Sequence, residues 1–354
     1  MAKRTILLES AFWDRFSECF RALDPCADGA DPVGVVEKIV RWENIYKFIC
    51  RSSVYVDKPL AELGEQAKGD PMLRHLLKCS GDGKMELCEA QEPFPDLESS
   101  KKFECDDAYF SLFFSCGDHR RAARRHGVIN ICCDDIWSQN SKFRDNGEAV
   151  TTNKGFAWNK MDVLRENSNG MVIVDNFILP PDKKPGKCTI GYNLRELLRL
   201  MLPESCDGKY VVSIFYFDSS DDSSDGAAIR KRRQSEFSQS IREFIKAKKK
   251  GLDVELELFP TLANGKNHHK DFHDRTIVTN NVWIGSEAGF DLLVPDYTTN
   301  TNTRALKTTK THGLYLGFGS EAANWLDAAY DDLISEAKSC LKKYKYKTAN
   351  RILR

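Results

Sequence analysis

The sequence predicts an α/β protein: a mixed sheet flanked by helices, preceded by an N-terminal α/β or α+β domain. Three observations carry that prediction. Short apolar runs at residues 171–174, 210–216 and 254–259 alternate with stretches whose apolar residues recur at helical spacing. Such alternation indicates a mostly parallel sheet, because parallel strands need crossovers long enough to hold a helix. A β-hairpin centred on Asn280-Asn281 adds antiparallel strands, so the expected sheet is mixed. The 354 residues suggest two domains, expected at 1–150 and 169–354 with a connector over 151–168.

From the N-terminus, Leu8, Phe12, Phe16, Phe20 and Leu23 recur at helical spacing, and Asp24-Pro25 ends that helix. Asp31-Pro32 opens a second helix that runs to about Cys50, with an N-cap residue followed by proline at the first helical position. Residues 53–56 make a short strand, and residues 59–67 and 71–78 are short helices that each begin with proline. The polar stretch 81–107 reads as an exposed loop stiffened by Glu92-Pro93-Phe94-Pro95. Two apolar strands follow at 109–115 and 128–133, with a basic loop between them built on His119-Arg120-Arg121 and Arg124-Arg125-His126. Asp134-Asp135 directly follows the second of these strands, where paired acids either hold a divalent metal or cap the next turn.

In the second domain the strand 171–174 ends at Asp175-Asn176. A helix at 193–202, a strand at 210–216, an acidic loop at 218–225, a long helix at 228–249 and a strand at 254–259 succeed it. After the hairpin, residues 296–311 read as a loop over the site, residues 313–317 as a strand and residues 321–344 as a helix. In an open α/β sheet ligands collect at the carboxyl ends of the strands, which makes Asp175 and Asn176 candidates for a binding site.

Composition excludes several classes. The 52 basic and 52 acidic residues balance, so any polyanion or membrane surface must be met by a local patch. Two such patches stand out, Arg230–Arg233 with the lysines of 246–250, and the tail containing Lys338, Lys342, Lys343, Lys345, Lys347, Arg351 and Arg354. Side by side they would form a groove for a polyanion; apart, they complement helix dipoles and keep the surface solvated. No apolar run approaches the ~20 residues that span a bilayer, and the opening residues turn charged where a signal peptide needs an apolar core, so a cytoplasmic location is expected. The twelve cysteines are scattered without a Cys-x-x-Cys pair, which favours reduced thiols. Cys116 with His119, and Cys132-Cys133 beside His126, offer half of a metal set, against the commoner role of cysteine as a small buried hydrophobe. No metal or cofactor is called for.

The hairpin carries most of the functional information. With a two-residue turn, Thr279 pairs with Val282 and Arg275 with Ser286, which puts His273, Arg275 and Ser286 on one face, while Trp283 and Val278 take the other. The missing side chain of Gly285 is expected to leave room for a ligand, and the three groups to grip a phosphate. His273-x-Arg275, four residues, Asn280, a short gap and Gly285-Ser286 resemble the phospholipase D (HKD) signature of His-x-Lys, four residues, Asp, then Gly-Ser. His273-Asp274-Arg275, Asn280-Asn281, Trp283 and Gly289-Phe290-Asp291 are similar to the phospholipase D-like C-terminal domain of MIT-domain proteins, a likeness that covers about residues 170–293. The resemblance implies a catalytic set of His273, Arg275, Ser286 and Asn280; joined with the strand-end and hairpin readings it gives a candidate phosphate-binding set of Arg275, Gly285, Ser286, Asp175, Asn176 and Lys270. Arg replaces Lys, Asn replaces Asp and the gap is two residues short. In the HKD mechanism one histidine attacks phosphorus and a second protonates the leaving oxygen, so this single motif implies a homodimeric site. The MIT-associated branch is regarded as non-catalytic. Two functions are therefore expected: a metal-independent nuclease, by analogy an antiviral-defence effector, or a phosphate- or nucleic-acid-binding module that controls a partner protein.

Overall fold

Ile6, Leu7 and Leu8 are all buried, the mark of a strand covered on both faces. Thr5–Leu8 is indeed a strand, β1, in the computed structural model, whereas the helical spacing predicts a helix from Leu8. The helix itself, α1, is Ser10–Arg21. Leu8 matched its period by coincidence, and the β-branched start of the preceding run was the better signal. The structure describes residues 5–27, 29, 31–89, 111–117, 119, 128–133, 165, 168–179, 192–218, 224–262, 275–286, 293–295, 304–306, 311–315 and 320–353. It is an α/β protein with helices flanking two larger sheets, one parallel and one mixed. The chain forms two compact units, Met1–Gly147 with Leu316–Asp327, and Glu148–Tyr315 with Ala328–Arg354.

In the first unit α2 (Pro32–Ile49), β2 (Ser53–Val56), α3 (Leu60–Gln66) and α4 (Pro71–Gly81) follow the predicted order. β3 (Glu86–Glu89) lies inside the stretch expected to be an exposed loop. There Leu87 is buried while the glutamates beside it keep their polarity at the sheet edge, so a charged composition hid a strand. With β4 (Ser111–Ser115) and β5 (Ile129–Cys132) the parallel order is β3-β2-β1-β4-β5, which reverses direction between β1 and β4. Phe12, Trp13 and Phe16 of α1 are buried; Phe16 stacks on Trp42 of α2 at 5.7 Å, and Trp42 on Tyr46 at 5.2 Å. Asp70, the N-cap of α4, ties α1 to this layer. Its carboxylate accepts from Met72 N, Leu73 N, Trp13 Nε1 and Ser17 Oγ. Burial alone would push that carboxyl up, but these hydrogen bonds outweigh it and hold the group below its ordinary value.

The second unit is built on β6 (Gly170–Val174), β7 (Ser205–Asp218) and β8 (Gly251–Leu262), all parallel. α5 (Tyr192–Met201) precedes β7, and α6 (Ser224–Lys248) connects β7 to β8. β9 (Arg275–Thr279) runs antiparallel to β6, then β10 (Val282–Ser286) to β9. A short ribbon of β11 (Leu293–Pro295) and β12 (Arg304–Leu306) places two strands where a loop was expected over 296–311 or just before it. β13 (Thr311–Tyr315) completes the order β13-β10-β9-β6-β7-β8.

The last helix and the C-terminal tail lock this sheet. α7 (Ser320–Tyr344) sends the Tyr330 hydroxyl to the carbonyls of Thr279 and Val282, at the closed end of the hairpin. Asn350 is fully buried; its amide donates to Met171 O at 3.0 Å and Ser213 Oγ at 2.9 Å, and its carbonyl accepts from Ile352 N at 3.1 Å. Ser213 and Thr348 in turn donate to Glu257 at 2.6 and 2.7 Å. Removing the Asn350 amide strands the Met171 carbonyl and the Ser213 hydroxyl, both of fully buried residues. Asn350→Ala is expected to lower unfolding free energy by about 1–3 kcal/mol, read as a lower urea midpoint at unchanged slope.

Candidate functional site

Strand β6 delivers Asp175 and β7 ends on Asp218; each carboxylate is only 3% exposed and needs partners. Asp175 Oδ1 accepts from Phe177 N at 2.8 Å and lies 3.8 Å from Arg275 Nε on β9. Asp218 Oδ1 lies 3.4 Å from Arg233 Nη1 on α6. The adjacent strands β6 and β7 thus each end near an aspartate that holds an arginine. The Arg275 guanidinium also stands 5.6 Å from the centre of the ring of Phe177, a residue that is 55% exposed. Across the ladder from Arg275 is Ser286, buried, in the register expected from a two-residue turn. Asp175, Arg275 and Ser286 therefore gather at the carboxyl end of the parallel strands, where open α/β sheets bind ligands.

Other expected site residues lie elsewhere. Asn280 sits in the hairpin turn, at the opposite end of β9 from Arg275, roughly 17 Å away at ~3.4 Å per residue. Its side chain accepts from Asn169 N at 2.9 Å and Gly170 N at 3.2 Å, and donates to Asn169 Oδ1 at 3.0 Å, so it fastens the turn to the start of β6. Gly285 opens no space for a ligand. A Cβ there would lie 2.9 Å from Trp283 Cζ2, because residues two apart share a strand face and the indole folds over the glycine. Asn176 continues the β6–β7 ladder through its carbonyl, which accepts from Phe217 N at 3.2 Å. His273 and Lys270 lie outside the described residues.

The C-terminal basic segment is anchored to the second sheet. The Tyr346 hydroxyl donates to Pro260 O at 3.1 Å, near the end of β8, and burial pushes that phenol up to about 12, with Arg230 pulling down and Asp218 pushing up. Arg230 at the start of α6 and Asp218 are thus within electrostatic reach of Tyr346 in the lysine-rich tail. Part of the charge is spent internally: Arg232 pairs with Glu236 at 2.8 Å, Arg233 with Asp218, and buried Lys249 with Glu204.

The first unit has its own cluster of polar groups where the strand order reverses. Glu9, directly after β1, is 8% exposed and accepts from Cys116 N at 2.8 Å, with His119 Nε2 at 3.4 Å. Desolvation pushes the Glu9 carboxyl above its ordinary value; the Cys116 amide and His119 work against this, and Asp57 adds to it. Asp57, after β2, accepts from Ser10 N at 2.8 Å. Sequence reading missed both Glu9 and Asp218, although each is an acid at the end of a buried strand, the same signal that found Asp175. Cys116 faces Cys133, with the sulfurs 4.0 Å apart, while the His119 ring turns to Glu9. Asp134, Asp135 and His126 lie outside the described residues.

Fold and geometry together define an α/β protein whose buried acids and their cationic partners line the carboxyl ends of its parallel strands. Comparison with known protein families and with curated protein sequences finds no match. Among solved structures, the chain is similar to the C-terminal lobe of a budding yeast Argonaute, at 11% identity over 90% of this chain and 70% of that one, with a TM-score of 0.18. It is also similar to Kluyveromyces polysporus Argonaute with a guide RNA, at 9% identity over 91% of this chain and 42% of that one, with a TM-score of 0.17. Likenesses at this level carry no argument about fold or function. No helix among the described residues is long and apolar enough to cross a membrane.

Two outcomes follow from this geometry. Gly285→Ala must displace the Trp283 ring and is expected to cost about 1–3 kcal/mol of stability in denaturant titrations. For Glu9 the folded pKa is raised, so its favourable contribution is complete below the unfolded value of 4.5 and is lost as pH rises through the folded value. Glu9→Gln keeps an acceptor for Cys116 N and is expected to raise the thermal midpoint at pH 7, with the gap to wild type closing as pH falls toward 4.

Proposed function

We propose that the second unit is a phosphate-recognising module of the phospholipase D-like type, which binds a phosphodiester of nucleic acid through Arg275 and Ser286. The observation that carries this reading is the pairing of Arg275 with Ser286 beside buried Asp175, at the carboxyl end of β6. Asp175 approaches the guanidinium at Nε and so orients a planar group suited to bidentate contact with phosphate oxygens. The Ser286 hydroxyl adds a neutral donor on the same face. The basic residues at the start of α6 and in the C-terminal segment are the sources of positive charge that would favour a polyanion over an isolated small phosphate. Binding needs only the residues that this fold brings together. Cleavage needs a nucleophile as well, and control of a partner protein would follow from binding.

A second reading, metal-independent phosphodiester hydrolysis, is favoured by one feature of the sequence: His273 stands two residues before Arg275, where strand alternation would give both side chains one face. Its histidine would be shared across a homodimer. One experiment separates the two. Labelled single- and double-stranded DNA and RNA are incubated in EDTA with wild type, Arg275→Ala and His273→Ala, with binding, cleavage and mass by light scattering read on the same samples. Binding without cleavage, weakened about 10- to 100-fold in Arg275→Ala and little changed in His273→Ala, is the expected result, since a hydrogen bond to a charged group contributes about 1.5–3 kcal/mol. Cleavage by a dimer, abolished in His273→Ala, would replace the binding reading with the hydrolytic one. Unchanged binding in Arg275→Ala would remove the site from both.

A further inference from the structure

The C-terminal end of α2 and the middle of α4 bring three soft ligand groups together. Cys50 is the C-cap of α2, and His75 and Cys79 lie four residues apart on one face of α4. One ligand atom from each lies within 4.8 Å of the others. Cys79 Sγ is 3.8 Å from both ring nitrogens of His75. In a tetrahedral zinc site with Zn–S near 2.3 Å and Zn–N near 2.0–2.1 Å, the sulfur-to-nitrogen edge is about 3.6 Å. The Cys79–His75 pair is within a few tenths of an ångström of that spacing, and Cys50 lies within 4.8 Å of both, without a metal to draw them in.

Tyr46, one turn before Cys50 on α2, supplies the outer support that metal-bound histidines require. Its hydroxyl meets His75 Nδ1 and donates to Met72 O at 3.3 Å. With the hydroxyl proton on Met72 O, its oxygen accepts Nδ1–H of His75, which fixes the tautomer whose Nε2 lone pair is available to a metal. Tyr46 is itself held by the aromatic stack on Trp42. Exposed His75 marks the route of entry, and Cys79 is buried. Two thiols and one imidazole favour a thiophilic cation over magnesium or calcium, which take oxygen ligands.

We propose that Cys50, His75 and Cys79 form a Cys2His site for zinc(II), with Tyr46 as the positioning residue behind His75 and a fourth position open to solvent. Binding releases the two thiol protons, leaves the imidazole neutral and clamps α2 to α4.

The test uses the full-length, untagged chain, reduced and freed of metal. Zinc is titrated against a chromophoric chelator, and cobalt(II) is added as a spectroscopic probe. Expected are one zinc per chain, a cobalt spectrum with sulfur-to-cobalt charge transfer and intense visible bands, and a higher thermal midpoint with zinc. His75→Ala, at an exposed position, is expected to lose the site and keep the fold, and Cys50→Ser with Cys79→Ser to abolish the charge-transfer band. Tyr46→Phe is expected to weaken zinc binding about 10- to 100-fold with its cobalt bands retained. Zinc stoichiometry unchanged in His75→Ala and in the cysteine variants would overturn the proposal, because the metal would then sit elsewhere. A cobalt complex without sulfur charge transfer would overturn it too, as would failure of the reduced protein to bind either metal.

Discussion

Strand β6 has no polar face. Met171, Val172, Ile173 and Val174 are all buried, and hydrogen-bonded neighbours flank the strand on both sides. A strand of this kind has room for chemistry only at its ends, and at the carboxyl end it delivers Asp175. Strand β7 repeats the arrangement with Asp218, and β1 of the first unit does so with Glu9. Two-sided burial of parallel strands is the constraint from which both polar clusters arise.

In the second unit the antiparallel hairpin brings complementary groups to that end. Because side chains alternate, a slip of one residue between β9 and β6 would turn Arg275 away from Asp175 and put Ile277 toward the wrong layer. The register is held from the other end of the hairpin. Asn280 grips the backbone at Asn169 and Gly170, and Tyr330 takes the carbonyls of Thr279 and Val282. Trp283 folded over Gly285 fills the face opposite Ser286. Residues with no part in ligand contact thus decide where the contacting residues stand, and the buried Asn350 network does the same from the far side of β6.

The two buried carboxylates of the first unit show how environment separates a structural acid from a poised one. Asp70 receives two backbone amides, an indole N–H and a hydroxyl, enough to keep it ionised despite burial. Glu9 receives one amide and a histidine, and has Asp57 for a neighbour, so desolvation wins and its carboxyl rises. Donor count makes the difference. Such opposed shifts set Glu9 apart from Asp70 within the same unit.

Alternation of apolar runs with helical stretches was enough to establish the α/β class, because the period of burial is written into the order of residues. Proline and aspartate at helix starts placed α2 and α4, and the Asn280-Asn281 turn alone determined that Arg275 faces Ser286. Local rules of this kind need no knowledge of what lies across the sheet. They failed where a neighbour decided the outcome. β1 became a strand because strands on both sides cover it, and charged β3 because it sits at the edge of the same sheet. Gly285 reads as room for a ligand, but strand alternation puts it on the face of Trp283, and the indole fills that room. Asn280 matched a motif position, yet it is committed to the start of β6, more than a hundred residues earlier in the chain. Cys50, His75 and Cys79 became neighbours only when α2 packed beside α4. Contacts between residues far apart in sequence depend on how whole elements pack, and no local pattern records that.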